Sequence, residues 1–403
     1  MRRPRTTPNA PVTWRDGVHL TGTPIWCDAR RRRDVCFLSS ADRVGRTGHG
    51  QLIGTAITLA LVDASGPGHL AVPVRQRFTL GTVRLELIPS GRGFGAAALH
   101  ADVAGKTVLY AGAVRTSTGG VGDAAELRAC DAVVVAAPYG EPRHQFPPLG
   151  SAIAAAIDWT RAQLAAGRRP VLMVDSVLDG LEVASRLAAE AIAIAGGRAL
   201  REAAHRIAEL VPPPQLVDGE VAIGRSIPRG ALHAAPPARP SPLPASVPLI
   251  PRGALSPASP ADPAGADLLA PSHLAVGSQA LPRPALDATS GVPPIAPPGR
   301  EPRAIVWLDA DRAQLARALG DRPIATALVS ARAIEGTAGC DAAFAWASAA
   351  DRAQLLAWIE ATGARDVFIT GACAEAIVAA LGPGARVIGP PHQMPLFPRE
   401  ATS

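Results

Sequence analysis

Lysine is almost missing from this chain of 403 residues: Lys106 is the only one, and arginine carries nearly all the positive charge. No CxxC pair occurs either. Cys27, Cys36, Cys130, Cys340 and Cys373 are widely spaced and odd in number, which argues against a disulfide framework and a zinc ribbon. None of the nine histidines lies within five residues of another, so no histidine pair with metal-ligand spacing exists. There is no run of about 18 apolar residues, and the start Met1-Arg2-Arg3-Pro4-Arg5 has no apolar signal core. A soluble, cytoplasmic protein without a membrane partner is the expectation. Aromatic residues are scarce at 4%, but 48% of residues are hydrophobic and the length suffices for a large core. The net charge of +6 suits contact with nucleic acid, and equally an arginine-rich composition, so charge alone decides nothing.

What is present changes character along the chain. Residues 12–150 read as short strands and turns. Thr82 to Ile88 alternates apolar and polar residues, the period of a half-buried strand, and Asp131 to Ala136 is nearly all apolar, as in a strand covered on both faces. From Ser151 the period becomes helical, with Ser151 as expected N-cap and Gly167 as stop. Strand Val171–Val174 and a helix from Leu181 to Ala193 follow, and this alternation predicts a parallel α/β layer. Residues 212–302 hold 22 of the 40 prolines and show no lasting period, which predicts a disordered insertion. Within it Ile-Pro-Arg-Gly-Ala-Leu occurs twice, at Ile227–Leu232 and Ile250–Leu255, readable as a repeated docking peptide or as drift by duplication. Strand and helix patterns resume with Ala304–Leu308, Arg312–Leu319, Ile324–Val329, Asp351–Ala361, Val367–Thr370 and Ala374–Leu381.

Several stretches, in order, resemble one family. Gly22 to Arg30, the loop Cys36 to Arg46, Pro89 to Ala97, Val108 to Ala113, Ala137 to Gly140 and Leu355 to Ala376 are similar to the metallo-β-lactamase-fold nucleases with a β-CASP insertion. Within that family the likeness is to bacterial exonucleases associated with DNA ligases and to messenger-RNA 3′-end-processing-like factors. It implies an α/β protein: an αββα sandwich from residues 1–148 and 345–395, a β-CASP-like cap over 149–344, and a tail at 396–403.

The family binds two zinc ions, and the departures fall on the ligands. Ser40 stands for the first signature-loop histidine, Arg43 for the last, and only Asp42 matches a ligand. Arg92 stands for the next zinc histidine, Ala113 for the bridging aspartate, Gly371 for the final histidine and Ala349 for the histidine that helps the leaving group. The resemblance therefore implies that no catalytic residue, metal ligand or cofactor is retained. Catalytic zinc needs about three nitrogen, sulfur or carboxylate donors, and a guanidinium at a ligand position repels a dication. We expect Arg43 or Arg92 to pair with Asp42 or Asp28 and fill the place. His49 is the one histidine near enough in sequence to serve as a relic ligand; a surface position is its plainer reading. Arg30, Arg31, Arg32 and Arg33 form a basic run, a solvated loop or a phosphate contact. The expected function is a catalytically inactive homologue that binds DNA or RNA, or a partner such as an active paralogue, a ligase or a helicase. The alternative is an active metal-dependent exonuclease with an atypical site.

Overall fold

In a computed structural model, the described residues are 10–43, 48–211, 216, 303–319 and 323–390, without the side chains of Arg43 and residues 316–318. All of them belong to one unit of the chain. The expected disordered insertion, its repeats, the tail and the side chain of Arg43 thus lie outside the described residues, Leu216 excepted.

The amino-terminal part builds two facing sheets. Strands β1 (Val12–Trp14), β2 (Val18–Leu20), β3 (Ile25–Cys27), β4 (Val35–Phe37), β5 (Gln51–Gly54) and β6 (Leu70–Ala71) lie side by side in that order. The second sheet begins with β7 (Arg77–Leu80), β8 (Val83–Pro89), β9 (Ala97–Val103) and β10 (Lys106–Ala113), all antiparallel, and continues with β11 (Ala132–Ala136), parallel to β10. Alternation along each strand sorts side chains between layers. Ile25, Phe37 and Ile53 of the first sheet meet Leu87, Leu99, Tyr110 and Val134 of the second in the core between them. Their neighbours Cys36 and Leu52 turn outward onto the short helix α1 (Ala56–Leu61) through Leu59.

After β11 the chain leaves this sheet. Helix α2 (Leu149–Ala165) starts three residues earlier than a Ser151 N-cap implied, because the N-cap is Pro148, whose ring fixes φ at −50° and suits the entry to a first turn. Strand β12 (Arg169–Val174) leads to helix α3 (Val177–Ala189), not Leu181–Ala193 as the apolar period indicated. The start is set by Ser176, whose hydroxyl accepts the Asp179 N–H, a polar cap that apolar counting misses. Strand β13 (Ile194–Gly196), helix α4 (Arg198–Ile207), strand β14 (Ala304–Leu308), helix α5 (Arg312–Leu319), and strands β15 (Ile324–Ser330) and β16 (Ala342–Ala345) complete a parallel sheet ordered β13-β14-β12-β15-β16. Leu172, Val174 and Val306 pack on α3 and α4 on one face, and Val171, Met173 and Ile305 pack on α5 on the other. The first of these cores also takes in Ala60, Leu61 and Phe94 from the amino-terminal part.

The chain then returns through helix α6 (Arg352–Ala361), capped by Asp351 and Gln354, to strand β17 (Asp366–Thr370), helix α7 (Ala374–Leu381) and strand β18 (Ala385–Val387). Strand β17 pairs parallel with β11, so the whole five-stranded sheet is inserted between two neighbours of one ladder. Trp358, Ile359 and Ile377 of α6 and α7 cover the outer face of this sheet. The chain is therefore of mixed α/β class, and no helix among the described residues is long and apolar enough to cross a membrane.

Two arginines from the facing sheets grip α3. Arg115, just after β10, is 2% exposed and donates to Glu182, itself 1% exposed, at 2.8 Å. The other carboxylate oxygen of Glu182 accepts the Val121 N–H at 2.9 Å. Truncating Arg115 to alanine strands a buried carboxylate, and a loss of about 3–5 kcal/mol in denaturant unfolding is expected. Replacing both partners, as in Arg115→Met with Glu182→Leu, should cost clearly less than the single change, which a double-mutant cycle reads directly.

Candidate functional site

The carboxyl ends of strands from all three sheets meet at a cleft of about 430 Å³. Beyond β4 lie Ser40 and Asp42, the latter in a 3-10 turn, Ala41–Arg43. Beyond β8 comes Arg92, and Ala113 ends β10. Pro138 and Tyr139 follow β11, and Gly371 and Ala372 follow β17. The inserted sheet adds Asp175 and Ser176 after β12, Ser330 at the end of β15, and Trp346, Ser348 and Ala349 after β16. Carboxyl ends of parallel strands are where open α/β sheets present binding clefts, because the loops there are free of the ladder. Six of the seven positions singled out from the sequence, Ser40, Asp42, Arg92, Ala113, Ala349 and Gly371, are thus brought together; the seventh is Arg43.

Arg92 is the centre of this cleft. Its loop is held by Gly91, whose φ of 76° is open to glycine and whose hydrogen in place of a Cβ avoids the Arg115 carbonyl oxygen, 2.0 Å from that point. From there the guanidinium, 12% exposed, donates through Nη2 to Asp42 Oδ2 at 2.5 Å and through Nη1 to Asp179 Oδ1 at 3.0 Å. The expected pairing with Asp42 is present; the partnership with Asp179, contributed by α3, was not legible because its distance along the chain hides it. Burial works against the charge of Arg92, but Asp179 and Asp42 outweigh it and hold the pKa above the ordinary arginine value. Ser176 donates to the remaining oxygen of Asp179 at 2.7 Å.

The other charges are also paired. Asp175 accepts from Ser330 and from Arg332, which donates in turn to Asp309 at 2.9 Å. Tyr139 keeps its proton: burial first, then Asp179, pushes its pKa up to about 12. Among the described residues, the cleft is thus polar, with a neutral phenol and with each lining carboxylate bonded to a guanidinium that it shares with another carboxylate.

Asp28 is occupied elsewhere. Its carboxylate accepts the Ser39 N–H at 2.8 Å, the Ser39 hydroxyl at 2.6 Å and the Tyr110 hydroxyl at 2.8 Å, tying the two facing sheets together. His49 is 8% exposed and lies outside the cleft, its Nδ1 accepting the Arg33 N–H at 3.2 Å, so the surface reading of this histidine is corrected. The arginine run does not line the cleft either. Arg31 pairs with Asp16 at 3.0 Å, and Arg33 lies 3.8 Å above the Trp26 ring, while Arg30, Arg31 and Arg32 are exposed.

A binuclear zinc site does not fit these residues. Asp42 is the one donor at the matching positions, and it already binds a cation. Among the described residues no three His, Cys, Asp or Glu side chains gather as metal ligands. At Gly371 the backbone itself departs, since φ is 102° and an added Cβ would lie 2.9 Å from the Ala137 carbonyl oxygen.

No family model matches this chain, and no curated protein does. Among solved structures, it is similar to a protein of unknown function from Enterococcus faecalis V583, with 9% identity and a TM-score of 0.42, over 83% of this chain and 74% of that one. A likeness so distant carries no argument about function.

Replacing Asp179 by asparagine weakens one end of the ion triad while keeping shape, and should cost about 1–3 kcal/mol in urea unfolding. Asp42→Asn, at a more exposed carboxylate, should cost less. His49 supplies a pH dependence. Burial pushes its pKa below 6.5, and its Nδ1 accepts a backbone N–H, so the folded ring is neutral while the unfolded ring takes a proton more readily. Its contribution is present in full above pH 6.5 and is lost on acidification below it, by at most about 1.4 kcal/mol per pH unit. Unfolding titrations of the protein and of His49→Gln should diverge in that window.

Proposed function

We propose that this chain is a metallo-β-lactamase/β-CASP-type protein without zinc chemistry, in which Arg92 takes the place of the metal and the molecule serves as a binding subunit. The observation that carries the reading is the guanidinium held between Asp42 and Asp179 in the cleft where the sequence-matched positions converge. A hydrolase of this class activates water on a metal. Here the corresponding carboxylate neutralises an arginine, and a second aspartate from α3 closes the other side.

Among the described residues, the guanidinium that lines the cleft is already committed to two carboxylates, an arrangement that disfavours a phosphodiester backbone there. This favours recognition of a protein partner, such as an active paralogue, a ligase or a helicase, in DNA repair or RNA processing. Contact with DNA or RNA, in this reading, runs through the exposed Arg30, Arg31 and Arg32 outside the cleft. The cytoplasm is the proposed compartment.

Metal analysis of the purified protein tests the first half. The expected result is less than one zinc per chain and no chelator-sensitive nuclease activity; about two zinc ions with such activity would establish the exonuclease alternative instead. Binding to short DNA and RNA across a salt series tests the second. A slope that flattens when Arg30, Arg31 and Arg32 become alanine supports the loop contact, and salt-independent or absent binding leaves the partner reading alone.

A further inference from the structure

The outer face of the first sheet gathers flat groups and positive charge. Along β2 and β3, Val18, Leu20, Ile25 and Cys27 point into the core, so His19 and Trp26 between them stand on the opposite side. The two are cross-strand partners, and their rings stack at 4.5 Å with 28° between the planes. The Arg33 guanidinium lies 3.8 Å from the centre of the Trp26 ring and adds a cationic plane. The turn between β1 and β2 is tied to the loop between β3 and β4: the Arg30 N–H donates to the Asp16 carbonyl at 2.6 Å, and Arg33 donates to the Arg15 carbonyl. Residues 15, 16 and 30–34 hold five arginines against two aspartates. Arg31 pairs with Asp16, but among the described residues Arg15, Arg32 and Arg33 have no carboxylate partner. Uncompensated guanidinium groups beside a guanidinium-covered indole suit an anion that also carries a flat ring.

We propose that this face receives single-stranded nucleic acid, with a base stacked on the surface that Trp26 and Arg33 form and its neighbouring phosphates on Arg15, Arg31 and Arg32. The proposal rests on the nucleic-acid contact read above for the arginine run and adds the form of strand it selects. A phosphate backbone satisfies the cations in either form. A base in a duplex is already paired and stacked between its neighbours, so only an unpaired base can lie on a protein plane. Every base offers such a face, so the surface discriminates little by sequence. Arg33 serves the contact by its flatness as well as its charge, and Trp26 holds it in place from beneath.

The test is a set of anisotropy titrations of the full chain with labelled oligothymidylate and oligouridylate of about 12 nucleotides and with a duplex of equal length. Both single strands should bind at least about fivefold more tightly than the duplex. Trp26→Leu keeps apolar bulk but no ring; it should weaken single-strand binding about 5- to 100-fold and leave the duplex nearly unchanged. Arg33→Lys keeps the charge without the plane, so single-strand affinity should fall while the salt slope stays. Arg32→Ala should do the reverse, lowering the single-strand slope by about 0.7 and keeping the preference over duplex. Melting curves show which variants remain folded, and Arg33→Lys, whose side chain is partly exposed, carries the comparison where Trp26→Leu does not fold. Equal affinity for strand and duplex, or single-strand binding indifferent to the change at Arg33 or at a folded Trp26→Leu, would overturn the proposal while the arginine contact stands. Absence of salt-dependent binding to either form would remove both.

Discussion

Two acidic residues one turn apart on α3, Asp179 and Glu182, hold the rest of the structure in relation. Their spacing of three puts both on one helix face, and each takes an arginine delivered by the facing sheets, Arg92 from the loop after β8 and Arg115 from the end of β10. Arg186, a turn further on, donates to the Gly120 carbonyl at 2.6 Å and so extends the same face. An interface built from buried ions specifies one geometry, because any slip leaves a charge without its partner in a poorly solvated place. The apolar core under α3 and α4, with Ala60, Leu61 and Phe94 in it, tolerates small shifts that these ions do not.

That constraint also governs the chemistry of the cleft. A binding site usually keeps a few polar groups unsatisfied until the ligand arrives. Here the carboxylates that line the cleft spend their hydrogen bonds internally, Asp42 and Asp179 on Arg92, Asp175 on Ser330 and Arg332. The arrangement favours order: each of these carboxylates is held in place by its own partners.

Much of the fold was legible in the sequence wherever local periodicity decides it. Helices over Arg312–Leu319 and Ala374–Leu381 follow from apolar spacing and, for the second, from Gly382 just past its end. The start of α3 was not, because a Ser176 cap outranks the apolar period. Helices α1 and α4 were missed altogether: six residues are too few to establish a period, and α4 is strongly polar on its outer face. For the site, Ser40, Asp42, Arg92, Ala113, Ala349 and Gly371 share one cleft because they lie at or just past the carboxyl ends of strands. What short motifs could not reveal was Asp179 as partner of Arg92, which depends on how a separate sheet packs, or the internal pairing of the cleft's carboxylates.

The insertion of a complete five-stranded sheet between β11 and β17 has a consequence for how the molecule is made. Val134 lies beside Phe368 in a ladder, yet more than two hundred residues separate them in the chain. During synthesis the β17-facing edge of β11 emerges as an unpaired, wholly apolar strand edge and stays so until the chain through Thr370 has left the ribosome. Closing that loop carries a large entropic cost before its contacts form. The inserted layer can complete its own ladders first and bring the two ends together, so the part of the chain that breaks the sheet in sequence is also what allows the sheet to close.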